Sequence, residues 1–420
     1  KELLRLKQVR AWDFSDKSRF LYQVTRFLYD GQYGDAFTAY DIRIRPDFPG
    51  SQTVLGKHLL QLKGAFGKNF TPLAQWVYNY VYDGITPINL WLEYEKEPSC
   101  QLQLRIQFFQ SGGISELVKE IVYSEEDLKE PILLDDFERY YLSFCLEAKG
   151  EGELKIGALH KRFSHGPFGE MTIGAQTLRD SKRQEIFAYF HPGDLKPPLN
   201  IYFSGYRPAE GFEGFVMMRR MGSPFILFSD PRLEGGSFYM GSQELEDQIV
   251  AYIDQHLDWL GFGPKEMNFS GLSMGTFGAL YYGASYSPHA ILVGKPIINL
   301  GDVAANLKFK RPDEFGTSLD MMQLLVGQVS REGIDLLNQR FWNRFNQADL
   351  KDTILALAYM RDDDYDQLAY PKILEALYDH PVRIISSSRP GRHNDATAPI
   401  VEWFLTQYKE IMERDFGRIE

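Results

Sequence analysis

One short run in this chain restricts its surroundings more than any other. Met267-Asn268-Phe269-Ser270 reads as a buried strand and Thr276-Phe277-Gly278-Ala279-Leu280-Tyr281-Tyr282 as a helix, with Gly271-Leu272-Ser273-Met274-Gly275 between them. A strand that becomes a helix within five residues needs a tight, strained turn, and only small residues fit beside its apex. Gly271 and Gly275 supply them, and Gly278 lets helix and strand pack closely. Such a turn lifts one hydroxyl, that of Ser273, above the edge of a sheet. The helix start then aims backbone N–H groups at negative charge developing there. The run predicts a nucleophilic serine working in acyl transfer.

The pattern around it is β/α. Strands are expected at 199–203, 224–228, 267–270, 290–293, 353–359 and 382–387, and helices at 244–260, 276–286, 371–378 and 398–414. Alternation of this kind builds a parallel sheet covered by helices on both faces, which with the serine turn is an α/β-hydrolase-type domain over 199–420. A largely helical insertion at 299–350 occupies the place of a lid. Upstream the texture differs. Leu102, Leu104, Ile106 and Phe108 alternate with Gln103, Arg105 and Gln107, as in a half-buried strand. Weaker strands are expected at 140–148, 153–159 and 185–190, with Ser111-Gly112-Gly113, Gly150-Glu151-Gly152 and Gly166-Pro167 as turns. Residues 86–192 are accordingly expected to form a β-sandwich of a kind that often binds carbohydrate, by analogy of fold alone. His191 to Pro198 reads as the linker between domains. Residues 1–85 are expected to be an incomplete α+β segment, with short helices at 55–62 and 73–82.

Bulk properties narrow the function. A formal charge of −11 disfavours nucleic acid and anionic membranes as main partners, since both need a basic face. Two cysteines, Cys100 and Cys145, do not make a disulfide framework and suit a reducing compartment, although a single bridge between them stays open. No apolar run is long enough for a transmembrane helix. Lys1 to Arg10 is charged, without the apolar core of a signal peptide or an initiator Met, which suggests a fragment.

A serine hydroxyl needs a general base, and in this fold the order along the chain is Ser, acid, His. Three histidines follow Ser273. His289 and His380 precede strands and fall at the wrong end of the sheet. His393 follows the last strand, in Ser388-Arg389-Pro390-Gly391-Arg392-His393-Asn394-Asp395, at the carboxyl edge beside the serine. The acid belongs after the preceding strand, where Met360-Arg361-Asp362-Asp363-Asp364-Tyr365-Asp366 offers four carboxylates. Asp363 is the first choice, with Asp364 and Asp366 open as alternatives. Two N–H groups should form an oxyanion hole. One is that of Met274; the other is that of Tyr206, or failing it Gly205, in the loop after the strand at 199–203. Arg207, Glu210 and Glu213 are candidate substrate contacts. Gly261-Phe262-Gly263 precedes a strand and is no dinucleotide fingerprint, and no Cys/His spacing suggests a metal. An aromatic sugar platform around Trp91 or Tyr94 is a further possibility.

Longer runs add a resemblance. Gly271 to Ala279, Gly294-Lys295-Pro296 with Asn299-Leu300-Gly301, Arg311-Pro312-Asp313-Glu314-Phe315-Gly316-Thr317-Ser318-Leu319-Asp320, and Gly157 to Gly169 resemble the accessory Sec system Asp-two family of Gram-positive cocci. The resemblance runs from about residue 90 to the end. It implies a cytoplasmic protein, peripheral at the membrane export site, in the dedicated export route of serine-rich-repeat adhesins. It implies as partners the glycosylated adhesin, two sister accessory Sec proteins and the accessory SecA motor. It also implies O-acetylation of N-acetylglucosamine on the adhesin by a Ser–acid–His triad, with Ser273 and His393 at the matching positions. No bound cofactor is implied, but an acetyl donor is needed. The family acid is often Glu, and its chains usually extend further at the N-terminus. Two other classes remain, a glycan carboxylesterase or deacetylase and a mainly non-catalytic export chaperone or adaptor.

Overall fold

The computed structural model describes residues 24–112 and 116–418. The N-terminal Lys1 to Arg10 and Gly113 of the expected 111–113 turn lie outside them. The chain divides into two compact units. The first ends at Ala175 and the second begins at Gln176, with Leu55–His58 counted with the second.

Among the described residues the first unit is built on one ten-stranded sheet. Its strands are β1 (Gly34–Phe37), β2 (Ile42–Ile44), β3 (Ser51–Leu55), β4 (Leu59–Trp76), β5 (Tyr80–Tyr82), β6 (Ile88–Lys96), β7 (Cys100–Gln110), β8 (Leu117–Ser124), β9 (Ile132–Leu134) and β10 (Tyr140–Phe163). β10 organises it. Its first half pairs with β7, its second half with β6, and β4 runs along its middle. The strand bends where Gly150 and Gly152 take φ of 93° and 119°, and the register with β4 shifts there. Opposite them stand Gly67 and Gly64, also at positive φ. Glycines facing glycines let two long strands turn together, so both halves of the sheet close on one apolar core. Leu60, Trp76, Leu104, Phe144, Leu154 and Ile156 are among its members.

Several expectations for this unit change. The helices expected at 55–62 and 73–82 are strand β4 with its flanks, because those residues alternate buried and exposed along a sheet. The strands at 140–148 and 153–159 are one strand, and 150–152 bends it without ending it. Trp91 is 2% exposed, so it offers no platform to a sugar. Cys100 and Cys145 are buried free thiols. The polar face of β7 is tied to Glu147, which accepts hydrogen bonds from Gln103 and Arg105.

The second unit is an eight-stranded sheet with helices. Its strands are β11 (Ala175–Arg179), β12 (Glu185–His191), β13 (Leu199–Phe203), β14 (Phe225–Ser229), β15 (Met267–Leu272), β16 (Ala290–Gly294), β17 (Ile354–Met360) and β18 (Arg383–Arg389). Their order is β11-β12-β14-β13-β15-β16-β17-β18. β13 to β18 run parallel, and β12 is antiparallel to β14. β12 was expected in the sandwich. It belongs here because Glu185–Tyr189 is buried on both faces, which an outer strand of a sandwich is not. The domain therefore begins before 199, and His191 to Pro198 is a loop inside it.

Its helices are α1 (Phe215–Arg220), α2 (Gln243–Leu260), α3 (Gly275–Gly283), α4 (Leu300–Lys310), α5 (Ser318–Val326), α6 (Arg331–Phe345), α7 (Ala369–Ala376) and α8 (Thr397–Phe416). Alternate strand residues serve opposite faces. Ile201, Phe203 and Phe269 share an apolar cluster with Ile249 of α2 and Phe277 and Leu280 of α3. Asn200 and Ser270 point the other way, toward Tyr408 of α8, whose hydroxyl donates to Asn200 Oδ1 at 2.9 Å. The expected insertion is α4 to α6, between β16 and β17. Among the described residues no helix is long and apolar enough to cross a membrane.

The bend in β10 makes a prediction. A Cβ at Gly150 would lie 2.1 Å from the Ser99 carbonyl oxygen, at a φ that side chains avoid. Gly150→Val should cost about 1–3 kcal/mol of stability. An unchanged urea midpoint for the first unit's transition would refute this role for the glycine.

Candidate active site

The turn from β15 into α3 is strained as its sequence requires. Ser273 has a φ of 51°, in the left-handed region. A Cβ at Gly271 would meet the Gly275 carbonyl oxygen at 2.2 Å, and one at Gly275 the Phe203 carbonyl oxygen at 2.0 Å. No larger residue fits either place. The Ser273 N–H donates to the Gly294 carbonyl at 2.8 Å, which fixes the turn against β16. Thr276 locks its other side, donating from Oγ1 to the Ser273 carbonyl and accepting from the Ile297 N–H at 3.0 Å.

Three residues far apart in sequence meet above this turn. Ser273 Oγ lies 2.8 Å from His393 Nε2, and His393 Nδ1 lies 2.8 Å from Asp363 Oδ2. Both partners are buried, His393 at 2% and Asp363 at 5% exposure. With Nδ1–H donating to Asp363, Nε2 is left to accept the serine proton. Burial pushes the Asp363 carboxyl up. The hydrogen bond and charge of His393, with the N–H groups of Tyr365 and Asp366, outweigh it and hold the group below its ordinary value.

The other three carboxylates of the loop have separate work. Asp362 Oδ2 accepts from the Gly391 N–H at 3.2 Å, joining the loops after β17 and β18. Asp364 Oδ1 accepts the His393 backbone N–H at 3.1 Å and pairs with Arg311. Asp366 accepts the N–H groups of Ile298 and Asn299 at 2.8 and 2.7 Å, and burial raises its carboxyl. Of the four, Asp363 alone reaches the imidazole ring. His289 pairs with Asp415 at 2.8 Å, and the N–H of His380 donates to the Leu377 carbonyl.

The Gly205 N–H is already donated to Glu213 Oε2 at 2.8 Å, so it is not free for an oxyanion. Glu213 also accepts from the Tyr202 hydroxyl and so shapes the loop after β13. Arg207 donates to the Phe212 carbonyl. Met274 and Tyr206 both line a cavity of about 390 Å³ that contains Ser273 and His393.

The insertion supplies much of that cavity. Asp313, Glu314, Phe315, Gly316 and Thr317, from the loop between α4 and α5, form one wall. Glu314 accepts from the Tyr365 hydroxyl at 3.0 Å and from Asn394, and pairs with Arg311. The Tyr365 ring lies 4.5 Å from that of His393. These contacts were not foreseen, although the run from Arg311 stood out as a motif and marks the wall. Lys295, quoted in a motif but given no role, is buried with a φ of 59° and donates from Nζ to Thr397 Oγ1 at 3.1 Å. Burial lowers its ammonium below the ordinary value, opposed by the Asp363 charge.

A parallel sheet carrying a strained serine after β15, an acid after β17 and a histidine after β18 defines an α/β-hydrolase-like protein. Comparison with known proteins narrows the class. The family described as the accessory Sec system GspB-transporter matches residues 1–418, and the chain belongs to that family. The accessory Sec system protein Asp-two of Streptococcus gordonii is 46% identical over 406 residues, 97% of this chain and 80% of that protein. Its counterpart in Staphylococcus aureus (strain NCTC 8325 / PS 47) is 44% identical over 394 residues, 93% and 75%. Among solved structures, the Glycosylation Associate Protein (Gap123) complex from Streptococcus agalactiae contains a chain similar to this one. Its TM-score is 0.93 at 40% identity, covering 100% of this chain and 81% of that one.

The depressed Asp363 carboxyl fixes a pH dependence. A folded-state value below the unfolded one contributes stability that is present above the unfolded value and lost as pH falls through the folded one. Wild-type stability should therefore fall on acidification below about pH 4, where a free Asp titrates. Asp363→Asn should flatten that limb in urea titrations across pH; an unaltered limb would count against the Asp363–His393 hydrogen bond as its source.

Proposed function

We propose that this chain is an O-acetyltransferase acting on N-acetylglucosamine of serine-rich-repeat glycoprotein adhesins, and a component of their accessory Sec export complex. The observation that carries the chemistry is the continuous relay from Ser273 Oγ through His393 to Asp363, with 2.8 Å at each step. Ser273 Oγ attacks the acyl carbon of an acetyl ester or thioester donor, and its proton moves to His393 Nε2. Asp363 stabilises the imidazolium. The N–H groups of Met274 and Tyr206 bind the oxyanion, where losing one donor typically costs about 10²–10³ in rate. The donor's leaving group departs with the proton held by His393. A sugar hydroxyl then gives its proton to His393 and attacks the acetyl carbon. The bond to Oγ breaks, and Ser273 recovers its proton. The chain needs no bound cofactor for these steps, only the acetyl donor.

Family membership supports the rest of the reading. The partners are the glycosylated adhesin, two sister accessory Sec proteins and the accessory SecA motor, met in the cytoplasm at the membrane export site. That the similar Streptococcus agalactiae chain comes from a complex supports assembly with sister proteins.

Ser273→Ala should abolish adhesin acetylation, with transfer down at least about 10³-fold. Mass spectrometry of adhesin glycans from cells carrying the variant measures this, and unchanged acetyl content would sink the proposal. A serine-reactive phosphonate should label Ser273 in the wild type. Acetyl release to water that a glycan acceptor does not divert would favour the carboxylesterase. Adhesin export should persist in Ser273→Ala cells, since docking surfaces do not depend on one hydroxyl; its loss would tie export to the chemistry.

A further inference from the structure

The mouth of the Ser273 cavity has a composition that the acyl-enzyme chemistry does not require. Tyr206 stands there with 61% of its surface exposed. The Cδ2–Cε2 edge of its ring abuts Gly235, where a Cβ would come within 2.5 Å of Tyr206 Cδ2. Gly235 also has a φ of 150°, so a side chain there would be both strained and in collision. One edge of the ring thus rests on bare backbone. An aromatic ring seated in this way presents a flat apolar surface with a polar tip.

Carboxylates share the cavity lining with this ring. Among the described residues the lining includes Glu234, Asp313 and Glu314 and no Lys or Arg. Glu314 is engaged by Arg311, Tyr365 and Asn394, whereas Asp313 is exposed and Glu234, though it faces His58, keeps 55% of its side chain exposed to meet an incoming molecule. His58 faces Glu234 at 3.9 Å and helps to hold its carboxyl below the ordinary value, as an ionised acceptor. Two basic groups lie beside the wall, and the charge of one of them, Lys57, acts on Glu234. Arg311 is paired with Asp364 and Glu314, and Lys57 ends beside Gly316. Ionised carboxylates accept hydrogen bonds from hydroxyls and amides, and they repel anions. A pyranose has an apolar face for the ring and hydroxyl hydrogens for the carboxylates.

We propose that this mouth is an acceptor subsite for a neutral pyranose, with the Tyr206 ring as stacking platform and Glu234 and Asp313 as hydroxyl acceptors. The same carboxylates exclude sugars that carry a carboxylate or phosphate. The inference rests on the acyl-transfer reading and adds to it the residues that hold the acceptor and turn anionic sugars away. In the transfer step the chosen hydroxyl loses its proton to His393 Nε2. Its oxygen bonds to the acetyl carbon as the bond from that carbon to Ser273 Oγ breaks.

The test uses the full chain, a chromogenic acetyl ester as donor, and two acceptors. One is the methyl glycoside of N-acetylglucosamine, which is neutral; the other is N-acetylneuraminic acid, which is anionic. Mass spectrometry measures acetylated sugar against free acetate. The neutral sugar should be acetylated at least tenfold faster at equal subsaturating concentration. Glu234→Gln with Asp313→Asn should reduce the transfer-to-hydrolysis ratio for the neutral sugar at least tenfold, through the acceptor KM rather than kcat, and narrow the preference. Equal acetylation of both acceptors by the wild type would overturn the subsite, and that arm needs no variant. An unchanged partition ratio in the double variant would overturn it as well. Absence of an acetyl-enzyme on wild-type Ser273 would overturn the underlying reading, which a peptide map of that serine separates from failure of the subsite alone.

Discussion

The left-handed turn at Ser273 is the constraint on which the second unit is arranged. A side chain held at a φ of 51° persists only where its surroundings leave no alternative. Those surroundings are the carbonyl oxygens of Phe203 and Gly275, which press on the glycine positions, and the bond from the Ser273 N–H to Gly294. Three parallel strands are therefore needed to hold one residue. The strain has a return in chemistry, because the hydroxyl is presented at the carboxyl edge, where loops after β17 and β18 can reach it.

Those loops are held by more than the relay itself. Asp362 binds the Gly391 N–H, and Asp364 binds the His393 N–H. The acid and the base are thereby joined through backbone as well as side chain. Arg311 carries the connection to the insertion, since it pairs with both Asp364 and Glu314. The cavity wall and the catalytic loops form one network of hydrogen bonds and ion pairs.

Much of this unit was legible in the sequence because its strands are short, apolar and separated by amphipathic helices. The chain order of serine, acid and base, with the position of each loop, left His393 as the base by elimination. The choice among four adjacent carboxylates was not legible, since spacing cannot tell which of Asp363, Asp364 and Asp366 faces a ring and which caps a backbone. The first unit was harder to read. A 24-residue strand that bends at glycines looks in sequence like two strands and a turn. β12 looked like sandwich because antiparallel and parallel strands share composition, and its partner β14 lies beyond β13. The roles of Glu314 and Tyr365 depend on contacts across 51 residues, and no local pattern reports those.

The relay also has a bearing on how the protein is made. Ser273 and His393 are 120 residues apart, and none of the three strands between them can be missing if their atoms are to meet. Contacts of such range close late, after the loops between them have given up their freedom. A chain emerging from the ribosome would hold its serine inert until β18 and the loop after it were in place. Reactivity of that single hydroxyl is then a built-in certificate of completed folding, issued only when the whole sheet has been assembled.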